Sequence, residues 1–205
     1  FVIESCMRGR FIVLEGIDGS GKSTQLRHLA KWLPESGLML PGAKLHFTRE
    51  PGGTALGVAI RELLLHLPRE DSPAPLAELL LYAADRAQHV SKRILPALDK
   101  GDWVVSDRFS GSTIAYQGYG RKLDLKVIEQ LGLIATAGLV PDLTLWLKLN
   151  VNESIARRDE RPDDRIEAEG ENFLSRVAFG FSLLAKEHSW QSINGGSSPE
   201  VVSRN

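Results

Sequence analysis

The chain of 205 residues has a single cysteine, Cys6, so no internal disulfide can form. That excludes the disulfide-stapled secreted scaffolds and fits a reducing, cytoplasmic setting. Charge of one sign is also lacking: 25 lysines and arginines stand against 26 aspartates and glutamates, a net charge of −1. Without a basic surplus, bulk binding to nucleic acid is not expected, and any polyanion has to be met at a local cluster. No apolar run approaches the ~20 residues that a membrane helix needs, so no membrane partner is expected. Residues 1–6 carry an acid where a secretory leader has its basic segment. Standing ahead of Met7, they read as upstream sequence, and residues 1–9 as a flexible extension. There are no internal repeats, and low complexity is confined to residues 195–198.

What is present begins with residues 11–24. An apolar run, Phe11, Ile12, Val13 and Leu14, is short enough for one buried strand. It meets Gly16-x-x-x-x-Gly21-Lys22-Ser23, and a helix-like spacing of Leu26, Leu29, Ala30 and Leu33 follows. Strand, glycine loop and helix, in that order, make a phosphate loop. Its anion-binding stretch is Gly16, Ile17, Asp18, Gly19, Ser20, Gly21, Lys22, Ser23 and Thr24, whose amides can turn inward at the start of a helix. Lys22 adds a point charge for the outer phosphates, and the Ser23 hydroxyl suits a magnesium ion. The plain alternative is a tight strand-to-helix connection with no ligand; the complete motif in its correct context argues against it.

The rest of the chain alternates between strand and helix. Strands are expected over residues 44–48, 103–106, 143–149 and 190–193. A helix is expected over 54–66, with Leu56, Ile60, Leu63 and Leu64 on one face. A longer one runs over 76–100, kinked or divided by Pro96 and stopped at Gly101. A short helix from Ser110 gives way to a glycine turn. Further helices run from an Asp124 cap to about Ala137, from a cap at Asn150 or Asn152, and over 171–188. The chain stops at Asn205, which leaves any final helix short or absent. Such alternation implies an α/β fold, a three-layer P-loop domain with five parallel strands, helices on both faces and right-handed crossovers. At this length it is a single domain with at most a small mobile insert.

In open parallel sheets ligands bind beyond the carboxyl ends of the strands. The phosphate loop follows the first strand. Arg49 and the turn Glu50-Pro51-Gly52-Gly53 follow the second, and Asp107 and Arg108 the third. Arginine's planar fork takes two phosphate oxygens at once, each charge-assisted bond being worth ~1.5–3 kcal/mol. Two facing anion sites describe a kinase whose acceptor is itself a phosphate, already anionic and in no need of a general base. Lys22 and Arg108 neutralise charge in that reaction, while Asp18 and Asp107 organise magnesium or water. A structural ion pair is the competing account of Asp107 and Arg108. The charged run at 157–165 reads either as a solvated surface or as a mobile lid, over 157–170, that closes on polyphosphate. No guanine-selecting Asn-Lys-x-Asp occurs, which argues against a GTP-dependent switch.

Several motifs in order strengthen the kinase reading: Arg49-Glu-Pro-Gly-Gly-Thr54, Asp107-Arg108-Phe109, Ala115-Tyr-Gln-Gly118, Pro141-Asp142-Leu-Thr-Leu and Asp164-Arg-Ile-Glu167. With them, over about residues 10–190, the chain resembles the bacterial thymidylate kinases. The resemblance implies one nucleoside monophosphate kinase domain that takes ATP, dTMP and magnesium, and commonly a homodimer. It implies that Arg49 and Arg108 hold the dTMP phosphate, that Tyr82 stacks on thymine and that Arg86 bonds its O4. Thr113 and Gln117 match the pair facing the base edge, and Tyr116 the tyrosine that crowds the sugar 2′ position. Arginine is donor-only, so it meets a keto oxygen but not the amino group of cytosine. Poor use of dCMP and measurable use of dUMP are therefore expected. Because the phosphate loop has no arginine, the resemblance calls for one in the lid: Arg158 first, then Arg161, then Arg157, with Arg165 left to pair with nearby acids. Another nucleoside monophosphate or deoxynucleoside kinase, and a nucleotide-binding subunit without turnover, are the alternatives.

Overall fold

The computed structural model describes residues 8–157 and 164–204. Residues 1–7, and with them Cys6, lie outside that range, as do the lid arginines Arg158 and Arg161. Five short strands form one parallel sheet: β1 (Phe11–Glu15), β2 (Leu45–Arg49), β3 (Trp103–Asp107), β4 (Leu143–Lys148) and β5 (Gln191–Asn194). Their spatial order is β2-β3-β1-β4-β5. β1 is therefore central, paired with β3 through Leu14↔Asp107 and with β4 through Glu15↔Trp146. All five of its residues are buried, which is why the run is apolar without alternation.

Successive β1 side chains serve opposite faces. Phe11 and Val13 join Val104, Phe109, Ile94 and Leu98 in one core. Ile12 and Leu14 join Val105, Leu147, Leu33 and Val202 in another. Full burial of such a side chain contributes roughly 1.5–3 kcal/mol. The helices are α1 (Lys22–Glu35), α2 (Ala55–Leu65), α3 (Pro75–His89), α4 (Leu95–Leu98), α5 (Ser110–Thr113), α6 (Leu125–Thr136), α7 (Val151–Ala156), α8 (Glu171–Glu187) and α9 (Pro199–Val202). The caps follow the side chains. Thr54 accepts from the Gly57 amide, Asp124 from Lys126, and Asn150 from Asn152.

Four expectations are corrected. The buried face of α2 runs through Gly57, Ile60 and Leu64, whereas Leu56 and Leu63 are exposed. The reason is that Gly57 packs against Asp85 of α3, which turns the helix by part of a turn. Pro96 neither simply kinks nor simply divides the long helix: a π-helical stretch, Val90–Ile94, joins α3 to α4. A proline that has no N–H to offer widens the preceding turn in this way. The segment after Ser110 does not break into a glycine turn. It continues as a second π-helical stretch, Ile114–Gly120, lying on α8. There Gly118 and Gly120 serve packing, because a Cβ on Gly120 would stand 2.6 Å from Phe173 Cε2. At the start of the chain, Gly9 is buried and donates to the Leu98 carbonyl at 2.8 Å, so the extension expected over 1–9 is anchored by that residue.

Candidate active site

β1, β2 and β3 deliver their loops to one edge of the sheet. Gly16 has φ 145°, and a Cβ there would strike the Leu147 carbonyl oxygen at 2.7 Å; Gly21, at φ 95°, caps α1. Among the described residues no group accepts from the amides of Gly19, Gly21, Lys22 and Ser23. They stand at the positive end of a 14-residue helix, open to an anion. Lys22 is buried, and its Nζ donates to the carbonyls of Gly16 (3.0 Å) and Ile17 (3.2 Å). Burial and the Arg108 charge push its ammonium pKa down, against Asp107, Asp18 and Glu15. The loop is tied from outside: Ser154 Oγ donates to the Asp18 carbonyl at 2.6 Å. Arg157 Nη1 donates to the carbonyls of Gly19 (3.1 Å) and Gly195 (3.0 Å), so this third candidate for the lid arginine lies on the phosphate loop.

Arg108 joins this loop to a cavity. Its Nη1 donates to the Gly16 carbonyl (2.9 Å) and Ser112 Oγ (3.0 Å), and its Nη2 to Asp18 Oδ1 (2.8 Å) and the Tyr116 hydroxyl (3.3 Å). The Tyr116 hydroxyl donates in turn to Asp18 Oδ2 at 3.1 Å. Burial pushes the Asp18 carboxyl up, but Arg108 and Lys22 outweigh it and hold the group well below the usual carboxylate range. Asp18 is thus occupied as the charge partner of Arg108. Asp107 differs: its Oδ1 is buried with no partner, as is Ser20 Oγ. Glu15 accepts from the amides of Phe109 and Ser112 and from Ser112 Oγ, shaping the turn that carries Arg108. Burial raises its pKa to about 7 in spite of Ser112 and Arg108.

The cavity beyond Arg108 is lined by Arg61, Tyr82, Arg86, Thr113, Tyr116 and Gln117, together with Asp18, Glu50 and Asp164. Arg86 is fully buried. Its Nε donates to Glu50 Oε2 (2.8 Å), and its Nη2 to the Phe109 carbonyl (3.1 Å) and Thr113 Oγ1 (2.9 Å). Only Nη1 is left without a described partner. The other Glu50 oxygen lies 2.9 Å from His89 Nδ1, so a wholly buried pair braces the arginine. Gln117 donates its Nε2 to Glu78 Oε1 at 2.8 Å. The Tyr82 phenol is raised by burial and by Glu78 and stays neutral.

The structure therefore brings together Lys22, Asp18, Arg108, Tyr82, Arg86, Thr113, Tyr116 and Gln117. Arg49 is not among the residues that line the cavity; it ends β2 exposed to solvent. Its neighbour in charge is Arg61, which no motif marks. Arg61 Nη1 donates to the Pro51 carbonyl at 3.0 Å, while burial and then the Arg49 charge push its guanidinium down. Glu50 and Glu78 are the other residues that sequence reasoning passed over. Glu50 stands beside Arg49 in a quoted motif, a signal of place though not of role. Arg165 pairs with an acid as expected, with Nη2 on Glu78 Oε2 and Nε on the Leu64 carbonyl.

Comparison with known proteins is consistent across sequence and structure. The family described as thymidylate kinase matches residues 14–205. The thymidylate kinase of Prochlorococcus marinus (strain MIT 9313) is 69% identical over 197 residues, covering 96% of this chain and 91% of that protein. The thymidylate kinase of Synechococcus sp. (strain WH7803) is 68% identical over 196 residues, covering 96% and 92%. The crystal structure of thymidylate kinase from Ehrlichia chaffeensis superposes with a TM-score of 0.72 at 36% identity, covering 90% of this chain and 91% of that one.

Proposed function

The chain belongs to the thymidylate kinase family, and we propose from that premise that it moves the γ-phosphoryl group of ATP onto the phosphate of dTMP. The products are ADP and dTDP, on the way to dTTP for DNA replication. One observation carries the reading at the level of the site. Arg108, paired with Asp18, stands between a phosphate loop with open amides and a cavity that presents, among other groups, a donor at Arg86 Nη1 and an acceptor at the Gln117 carbonyl. Thymine offers an acceptor at O4 and a donor at N3; cytosine offers the reverse at both positions.

In the reaction an oxygen of the dTMP phosphate attacks the γ-phosphorus in line. The bond to the β–γ bridging oxygen breaks, and ADP leaves with that electron pair. Arg108 gathers the acceptor phosphate, supported by Arg61 and, from the rim, Arg49. The loop amides and Lys22 hold the donor, and Arg158 from the lid adds charge to the transferring group. Tyr82 flanks the base, Thr113 fixes Arg86 beside it, and Tyr116 narrows the sugar end. Asp107 and Ser23 would hold magnesium. The unpartnered Asp107 oxygen fits that role. Magnesium typically takes few protein ligands and the rest from phosphate and water, and when bound it neutralises phosphate charge.

The same reading includes a homodimer. α2, α3 and α6 lie side by side, and their outer surface exposes Leu56 and Leu63, Leu76 and Leu80, and Val127 and Ile134. An apolar surface of this kind suits a second copy of the chain. None of the described helices is long and apolar enough to cross a membrane; together with one cysteine, this supports a cytoplasmic placement. The deciding experiment is a coupled ADP-release assay offering dTMP, dUMP, dCMP, dGMP and UMP in parallel, with Lys22→Ala as control. Turnover is expected to be strongest on dTMP, measurable on dUMP and lost in the control. Preference for another nucleotide would reject the base assignment, and no turnover at all would favour a binding subunit.

A further inference from the structure

We infer that Glu78 is a positioning residue for base selection: it dictates which end of the Gln117 amide faces the cavity. The inference rests on the dTMP reading given above. Glu78 lies in the first turn of α3, wholly buried, and is not among the residues that line the cavity. It is nevertheless the most heavily bonded acid near the cavity. Oε1 accepts from Gln117 Nε2 (2.8 Å) and Arg121 Nε (3.2 Å). Oε2 accepts from Arg121 Nη2 (3.1 Å) and from Arg165 Nη2. Burial pushes the Glu78 carboxyl up, but the bonds from Arg121 and Gln117 and the charge of Arg121 prevail and lower its pKa, so it is ionised near neutrality.

An ionised carboxylate accepts and cannot donate. The two ends of a glutamine amide are nearly equal in size but opposite in hydrogen-bonding character. Facing Glu78, only the NH2 end of Gln117 is tolerated. The carbonyl end is thereby turned to the cavity, where no described group donates to it. A base with N3–H, thymine or uracil, finds an acceptor there. Cytosine, bare at N3, finds a second lone pair and loses the bond. Were the amide free to flip, its NH2 would serve cytosine equally well, and half of the site's discrimination would vanish. Glu78 therefore acts on a base that it does not touch. Its bond to Arg165, which follows directly on Asp164 in the cavity wall, joins the same carboxylate to the segment expected to form the lid.

The test is steady-state kinetics of the full chain on dTMP and dCMP with Glu78→Gln, whose neutral amide brings an NH2 of its own and admits the flipped Gln117. The ratio of kcat/KM for dTMP over dCMP is expected to fall at least about tenfold, as the loss of one oriented buried hydrogen bond implies. Gln117→Leu alone should lower the same ratio, and adding Glu78→Gln to it should leave the ratio where it stands. Equal losses on both substrates in Glu78→Gln would make Glu78 a mere brace and overturn the inference. Should Glu78→Gln fail to fold, as thermal melting would reveal, an unchanged ratio in Gln117→Leu overturns it by itself. A wild-type chain that does not prefer dTMP over dCMP would instead sink the dTMP reading.

Discussion

Arg61 acquires its role from what surrounds it. It sits on α2 as one charge among ordinary helical residues, and it reaches the cavity because the loop after β2 folds back and offers it the Pro51 carbonyl. A guanidinium half-withdrawn from water beside Arg49 and Arg108 is strained by like charge until an anion arrives. Replacing it with methionine keeps the length and removes that charge. Arg61→Met is expected to raise KM for dTMP about 10–100-fold with a much smaller change in kcat, since ground state and transition state share the contact. Initial rates across a dTMP series check this, and equal falls in kcat and kcat/KM would instead assign Arg61 to the transferring phosphate. Arg49 and Arg108 could be found in the sequence because they stand in motifs at strand ends, and Arg86 through the family resemblance. Arg61 and Glu78 could not, since each depends on a contact made across the fold, and the motif gave Glu50 a place without a role. What an arginine does once it is found was also hidden. The sequence pairs Arg86 with a base, yet three of its bonds go to Glu50, Phe109 and Thr113, and one nitrogen remains for a ligand.

At the scale of elements, β1 and β3 were easy to locate, because a buried strand must be a short apolar run, whereas β2 and β5, largely exposed at the sheet edges, were legible from the loop residues that bound them. Helical irregularities were harder. Gly118 and Gly120 look like a turn when read along the chain. In three dimensions they are the places where the π-helical stretch lies against neighbouring side chains, Leu125 of α6 at the first and Phe173 and Val177 of α8 at the second. That packing carries Tyr116 and Gln117 into the cavity. Gly120→Ala puts a methyl group into Phe173 and is expected to cost about 1–3 kcal/mol of stability, read as a lower urea midpoint at unchanged slope. The affinity for dTMP should weaken with it, because Gln117 is displaced along the same segment. A variant as stable as the wild type would mean that α8 has room to move away. The face of α2 teaches a related lesson: periodicity located the helix but misplaced its buried stripe, since Gly57, with no side chain to count, marks the closest approach.

At the scale of the molecule, the apolar outer surface of α2, α3 and α6 carries the remaining prediction. The chain should sediment as a dimer at micromolar concentration. Leu80→Glu combined with Ile134→Glu should yield a monomer by sedimentation velocity without loss of helical content. A dimer that persists would place the contact elsewhere. The strand order has an outcome of another kind, set in time instead of space. Of the described strands β1 is made first, yet it lies in the middle, and its two neighbours come from residues 103–107 and 143–148. A nascent chain leaving the ribosome therefore carries its complete phosphate loop long before that loop can take shape. Until β4 has emerged, one edge of β1 is an unpaired, apolar strand. The lateness of β4 thus makes nucleotide binding a report that most of the chain has been synthesised and folded.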